Sequence, residues 1–201
     1  MKKDELKNIA NFVFESGILS KTPRSGLWFL GTGKQSVAEH AFRTTMIGYI
    51  LSCLEPKADK NKVIFLCLIH DLGEGRTSDL NYVHQKYGRL AEAQAVDNIA
   101  HNLPFGQEIK TAFTEMEAKQ TLEAKLTKDA DQLEWMATLL DEAAKGNKKA
   151  FAWADLAFKR LKTSQAKKLG KLLKTTHPDA WWFDVKDKWF VDRKQKDKKW
   201  K

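Results

Sequence analysis

Cysteine is scarce. Cys53 and Cys67 are the only two in 201 residues, and each sits within an apolar stretch. That pair does not make a disulfide scaffold and suits a reducing compartment, so the cytoplasm is the expected location. Long apolar runs are missing too: the longest, Val63 to Ile69, has seven residues, against the roughly 20 a bilayer-spanning helix needs. No transmembrane segment is therefore expected. Met1-Lys2-Lys3-Asp4-Glu5 has no apolar stretch behind it and does not read as a secretory signal. Alternating strands, internal repeats and Ser/Gly-rich linkers are also absent, which argues against sheets, repeat arrays and tethered domains.

What is present is apolar material and positive charge. Hydrophobic residues make up 42% and charged residues 30%, enough for a sizeable core and incompatible with a disordered chain. Lys and Arg number 35 against 26 Asp and Glu, a net charge of +9, which suits nucleic acid, anionic lipid or a small phosphorylated substrate. Much of the excess is local: Lys186 to Lys201 is rich in lysine and carries Trp189, Phe190 and Trp200. A solvated tail with a few packed aromatics is the expected reading of that stretch, with a nucleic-acid or phosphate role as the alternative.

The periodicity is helical throughout. Leu6, Ile9, Ala10 and Val13 predict a first amphipathic helix ending near Gly17, followed by a loop from Lys21 to Gln35. Ser36-Val37-Ala38-Glu39 is a capping box that opens a helix with Val37, His40, Ala41, Thr44, Ile47, Leu51 and Leu54 on one face, so His40 points inward. Asp59 or Asn61 caps a helix from Val63 to about Gly73, apolar nearly all round and hence central. After a polar loop from Gly75 to Gln85, helices follow through Leu90 to Leu103, Ile109 to Met116, and Leu122 to Ala144. A last one is expected over Phe151 to Thr175. Trp181 and Trp182 are expected to close a core or a dimer contact. The expectation is a single all-α domain, a helical bundle over 1–175, with a basic, aromatic-containing extension over 176–201.

His70-Asp71 ends the most apolar helix, where packing gives no reason for either residue. Buried charge is costly unless paired or bound to metal. A second inward histidine, His40, lies on another helix, and Lys128-Asp129-Ala130-Asp131 puts an acidic pair on a third. Imidazoles with carboxylates suit one divalent ion such as Mn, Co, Fe, Mg or Zn. Composition and spacing alone leave hydrogen-bonded core histidines as an equal reading. The apolar stripe of the third helix favours Asp129 over Asp131 as the inward carboxylate.

The blocks Ser36-Val-Ala-Glu-His40, Leu68-Ile-His70-Asp71-Leu-Gly-Glu74, Thr77-Ser-Asp79-Leu80 and Lys128-Asp-Ala-Asp131 together resemble the HD-domain metal-dependent phosphohydrolases, in particular their 5′-deoxynucleotidase branch. The resemblance runs from about Ile18 to Asn147. It implies an HD-domain bundle, a homodimer, and hydrolysis of nucleoside 5′-monophosphates, chiefly deoxynucleotides, to nucleoside and phosphate. It implies His40, His70, Asp71 and Asp131 as metal ligands, with Asp129 the fallback for the fourth. It places Glu74 at the attacking water, Asp79 at the sugar or leaving-group oxygen, and Arg24 on the phosphate. In the bacterial pattern a Trp directly follows this Arg and helps exclude a 2′-hydroxyl. Here Ser25 takes that place and the aromatic is delayed to Trp28, so strict deoxyribose selectivity is not expected. Trp28 and Lys86 are further substrate-binding candidates. Alternatives are an HD phosphohydrolase of a cyclic or polyphosphorylated nucleotide, or a non-catalytic nucleic-acid-binding module. Against the latter stand Glu74 and Asp79, acidic groups that cost phosphate affinity unless they do chemistry. Neither membrane nor nucleic acid is an expected partner.

Overall fold

The computed structural model describes residues 2–193; Trp200 and the end of the basic tail lie outside the described residues. The chain opens with α1 (Lys3–Ser16), a 3₁₀ turn over Gly17–Ser20 and α2 (Gly26–Leu30), a short helix inside the expected loop. Leu6 and Val13 are exposed, and α1 packs instead through Ile9 and Phe12, one helical turn apart. The next helix, α3 (Val37–Leu54), begins at the expected capping box: Ser36 Oγ accepts from Glu39 N, and Glu39 accepts from Ser36 N. It buries Val37, His40, Ala41, Thr44, Ile47 and Leu51, while Leu54 faces solvent.

Asp59 caps α4 (Lys60–Ile69) by accepting from Lys62 N. The helix ends short of the expected Gly73. It stops at Ile69, and His70 to Gly73 continue in tight turns closed by Leu72 N to Ile69 O and Glu74 N to Asp71 O. Nor is it apolar-packed all round: Leu68 is 57% exposed. Two short helices, α5 (Glu74–Thr77) and α6 (His84–Tyr87), interrupt the expected polar loop, and α7 (Glu92–Ala100) and α8 (Gly106–Ala118) follow.

The centre of the bundle is α9 (Leu122–Ala144), flanked by α3, α4, α8, α10 (Lys148–Arg160) and α11 (Ser164–Leu173). The single last helix expected from the pattern is thus two. The break comes at Leu161 to Thr163, where Thr163 caps α11 by accepting from Ala166 N and Asp129 binds the turn from α9. Beyond α11, Trp182, Phe183 and Phe190 pack together with ring centres 5.0–6.1 Å apart, Phe190 meeting the other two edge to face. Trp181 is 82% exposed and closes no core among the described residues.

Two apolar clusters share the interior. One joins Leu51, Val63, Leu126, Leu133, Met136, Leu139 and Ala154; the other joins Val37, Leu66, Ile69, Val96, Ile99 and Phe113. Each fully buried aliphatic contributes roughly 1.5–3 kcal/mol, which offsets the cost of a polar centre. Both α3 and α4 contribute to both clusters, so His40 and His70 sit at the seam between them. Gly48 lets the two helices approach: a Cβ there would lie 2.5 Å from Cys67 Sγ.

Candidate metal centre

The two histidines meet inside the bundle, His40 Nε2 lying 3.1 Å from His70 Nε2. His70 Nδ1 donates to the backbone carbonyl of Cys67, three residues earlier, at 2.7 Å. His40 Nδ1 donates to Glu134 Oε2 from α9. A carbonyl and a carboxylate only accept, so each Nδ1 carries a proton and each Nε2 turns inward. Asp71 Oδ2 stands 3.1 Å from His70 Nε2 and 3.5 Å from His40 Nε2. Asp131 Oδ1 is 3.3 Å from His40 Nε2. One ligand atom each from His40, His70 and Asp131 fits within a 4.8 Å span.

Positive charge is what such a cluster requires. Burial and Arg24 oppose protonation of His40, yet the Asp131 and Glu134 carboxylates outweigh them and hold it up to about 9. Burial would raise Asp71, but His70, His40 and Arg24 together hold it well below the usual carboxylate range. Asp131 is likewise held low, by Lys128 and His40 against burial. Two inward imidazole nitrogens, two ionised carboxylates and a fixed Nδ1 partner on each ring fit one divalent cation with nitrogen and oxygen donors.

Asp129 and Asp131 part company on α9. The Asp129 carboxylate accepts from Lys162 N at 2.8 Å, Thr163 N at 2.7 Å and Thr163 Oγ1 at 2.7 Å, so it serves the α10–α11 turn. Asp131 Oδ2 accepts from Lys128 and Gln132, leaving Oδ1 toward His40. The apolar stripe favoured Asp129 because both residues are buried, on different faces of a helix surrounded by others.

Glu74 begins α5 and is buried, with Oε2 lacking a hydrogen-bond partner among the described residues. Burial first, then the charges of Asp71 and Asp79, push it up to about 10. Arg24 Nη1 reaches Asp71 Oδ2 at 3.3 Å and Asp79 Oδ1 at 3.5 Å. Asp79 Oδ2 in turn accepts from Ser25 N at 2.5 Å and Ser25 Oγ at 2.9 Å. Ser25 thus ties the Arg24 loop to the Asp79 loop. Ser78 between Glu74 and Asp79 has φ 68 and ψ 161, a conformation that only glycine adopts easily and that marks stored strain.

Arg24, His70, Asp71, Glu74, Asp79 and Asp131 all line one cleft of about 750 Å³. Trp28 and Lys86 are not among its lining residues. Trp28, 60% exposed, turns its ring toward His84 at 6.5 Å, and Lys86 is exposed on α6. On α2 it is Leu27 and Leu30 that turn into the core, which leaves Trp28 facing outward, and α6 buries none of its residues.

Sequence reasoning missed Glu134. It is wholly buried and accepts from His40, from Arg43 Nε at 2.9 Å and from Gln35 Nε2 at 2.6 Å. Its signal was present: Glu134 follows Asp131 by three residues, one turn along the same helix.

The sequence profile of the HD domain matches residues 16–173. The chain belongs to the HD-domain family. It is 29% identical over 150 residues to the 5′-deoxynucleotidase hdd1 of Schizosaccharomyces pombe, covering 68% of this chain and 75% of that protein. It is 31% identical over 136 residues to the 5′-deoxynucleotidase HDDC2 of Danio rerio, covering 64% of this chain and 66% of that one. A conserved hypothetical protein from Pyrococcus furiosus is similar in structure to this chain, with a TM-score of 0.73 at 27% identity, covering 83% of this chain and 99% of its own. Among the described residues no helix is long and apolar enough to cross a membrane.

Proposed function

We propose that this HD-domain chain is a metal-dependent phosphohydrolase that releases phosphate from nucleoside 5′-monophosphates, deoxynucleotides among them. The observation that carries the reading is the meeting of both Nε2 atoms with the Asp71 and Asp131 carboxylates at the wall of a cleft that also holds Arg24 and Glu74. Likeness to the two 5′-deoxynucleotidases supports the substrate class.

His40, His70, Asp71 and Asp131 would hold the cation, which supplies Lewis-acid polarisation of a phosphoryl oxygen and acidifies water. Arg24 offers a planar, permanently charged fork to the remaining phosphate oxygens. Asp79 and Ser25 hold that fork in place, and Asp79 is the polar group offered to the sugar or leaving oxygen. Glu74 receives the proton of the attacking water at its unpartnered Oε2. Part of what raises Glu74 is the charge of Asp71; neutralising that carboxylate returns Glu74 toward the range in which it accepts a proton.

The reading includes a homodimer in a reducing cytoplasm. Phe42, Met46, Tyr49 and Ile50 support the first as exposed apolar residues along one stretch of α3. The free thiols Cys53 and Cys67 support the second. Phe42→Glu should convert the dimer to monomer by light scattering.

The test is phosphate release from a panel of ribo- and deoxyribonucleoside monophosphates, cyclic nucleotides and nucleoside polyphosphates, with Mn²⁺ or Co²⁺ and with chelator. Release from 5′-monophosphates that the chelator abolishes supports the reading. Turnover confined to cyclic or polyphosphorylated nucleotides moves the substrate class. No turnover alongside tight oligonucleotide binding replaces the reading with a binding module.

A further inference from the structure

Tyr82 and Arg160 come together in the same cleft from distant parts of the chain, Tyr82 from the segment before α6 and Arg160 from the end of α10. The guanidinium carbon lies 4.8 Å from the centre of the Tyr82 ring. Arg160 Nη1 donates to the Tyr82 hydroxyl at 2.5 Å and approaches Gln132 Oε1 at 3.4 Å. Gln132 Nε2 donates to Asp131 Oδ2 at 3.2 Å. The pair is therefore linked through one side chain to the proposed metal set, within a nucleotide's reach of it.

Burial does not account for the pairing of Tyr82 with Arg160. Both are surface residues, and Arg160 has no carboxylate partner within salt-bridge distance among the described residues. Trp135, the other aromatic in the lining, is 6% exposed and packs against Gly26. Tyr82 is thus the aromatic face that the cleft offers. An arginine laid over such a ring gives a flat, polarisable surface with donors at its edge. That is the chemistry that receives a heterocyclic base by stacking and reads its acceptor atoms.

We propose that Tyr82 and Arg160 form the wall that receives the nucleobase. The proposal rests on the nucleotide reading above and assigns the base contact to these residues rather than to Trp28.

The test compares two ligands that share sugar and phosphate, deoxyadenosine 5′-monophosphate and deoxyribose 5-phosphate. Their binding to the full chain is measured by calorimetry in chelator, where no turnover intervenes. In Tyr82→Leu the ratio of the two dissociation constants should shift about tenfold or more against the nucleotide, as expected for one lost base stack. Arg160→Ala should shift it in the same direction, with Arg160→Lys restoring only part. An unchanged ratio in both Tyr82→Leu and Arg160→Ala overturns the proposal, as does equal weakening of both ligands, which would mark the pair as structural. The two readings fail separately. Wild-type phosphate release with an unshifted ratio removes the base wall alone, and a shifted ratio without any release removes the hydrolase alone.

Discussion

Glu134, wholly shielded from solvent, accepts the Nδ1 proton of His40. That bond fixes which nitrogen of His40 faces the cleft, and Arg43 and Gln35 fix Glu134 in turn. Burial opposes its charge, yet His40 and Arg43 bring Glu134 down to about 2, so it is an anion at every working pH. Glu134→Gln keeps the shape, removes that charge and should weaken Mn²⁺ binding by about 10- to 100-fold, the usual cost of losing an outer carboxylate behind a histidine ligand. Calorimetric titration reads it. Unchanged Mn²⁺ affinity would mean that His40 needs no such support.

The two aspartates of α9 should separate stability from metal. Asp129→Ala removes three hydrogen bonds from the α10–α11 turn and should lower stability by roughly 1–3 kcal/mol while metal still binds. Asp131→Ala should abolish metal binding, with a smaller thermal penalty. Parallel melting curves and metal analysis decide it, and the opposite pattern would make Asp129 the ligand.

Glu74 sets activity against stability. With a folded-state value of about 10 against an ordinary 4.5, its favourable contribution is complete below about pH 4.5 and is lost as pH rises toward 10. Wild type should therefore lose stability relative to Glu74→Gln across that window in chelator, and the variant should melt higher at pH 8. Its kcat should fall about 10²- to 10⁴-fold. A lower melting temperature at pH 8 for the variant would show that Glu74 is not strained there.

Arg24→Ala should raise KM about thirtyfold, the equivalent of roughly 2 kcal/mol for one charge-assisted contact, with metal retained. Steady-state kinetics check it, and unchanged KM and kcat would take Arg24 out of the site.

Ser78→Gly should stabilise the chain, because φ 68 with ψ 161 costs a non-glycine residue about 1–3 kcal/mol. Chemical denaturation measures the gain. A loss would mean that the Ser78 side chain matters more than its backbone.

Much of this was legible in the residues. The α3 capping box and the inward face of His40 follow from local rules that tertiary packing did not override. The position of His70 also followed, but the end of its helix did not. Apolar periodicity continues through Leu72, whereas the backbone turns after Ile69. The Asp129–Asp131 choice was open because α9 is buried on more than one face, and a single stripe then carries no direction. Tyr82 and Arg160 were invisible, since 78 residues separate them and nothing local marks their contact.

The most direct test of the central claim is back-titration of Mn²⁺ into chelator-stripped protein, with phosphate release from deoxyadenosine 5′-monophosphate followed alongside bound metal. Activity should be absent without metal and return in proportion to about one Mn²⁺ per chain, and His40→Ala should neither bind nor turn over. Full phosphate release by stripped protein, or metal bound tightly by His40→Ala, would contradict the account.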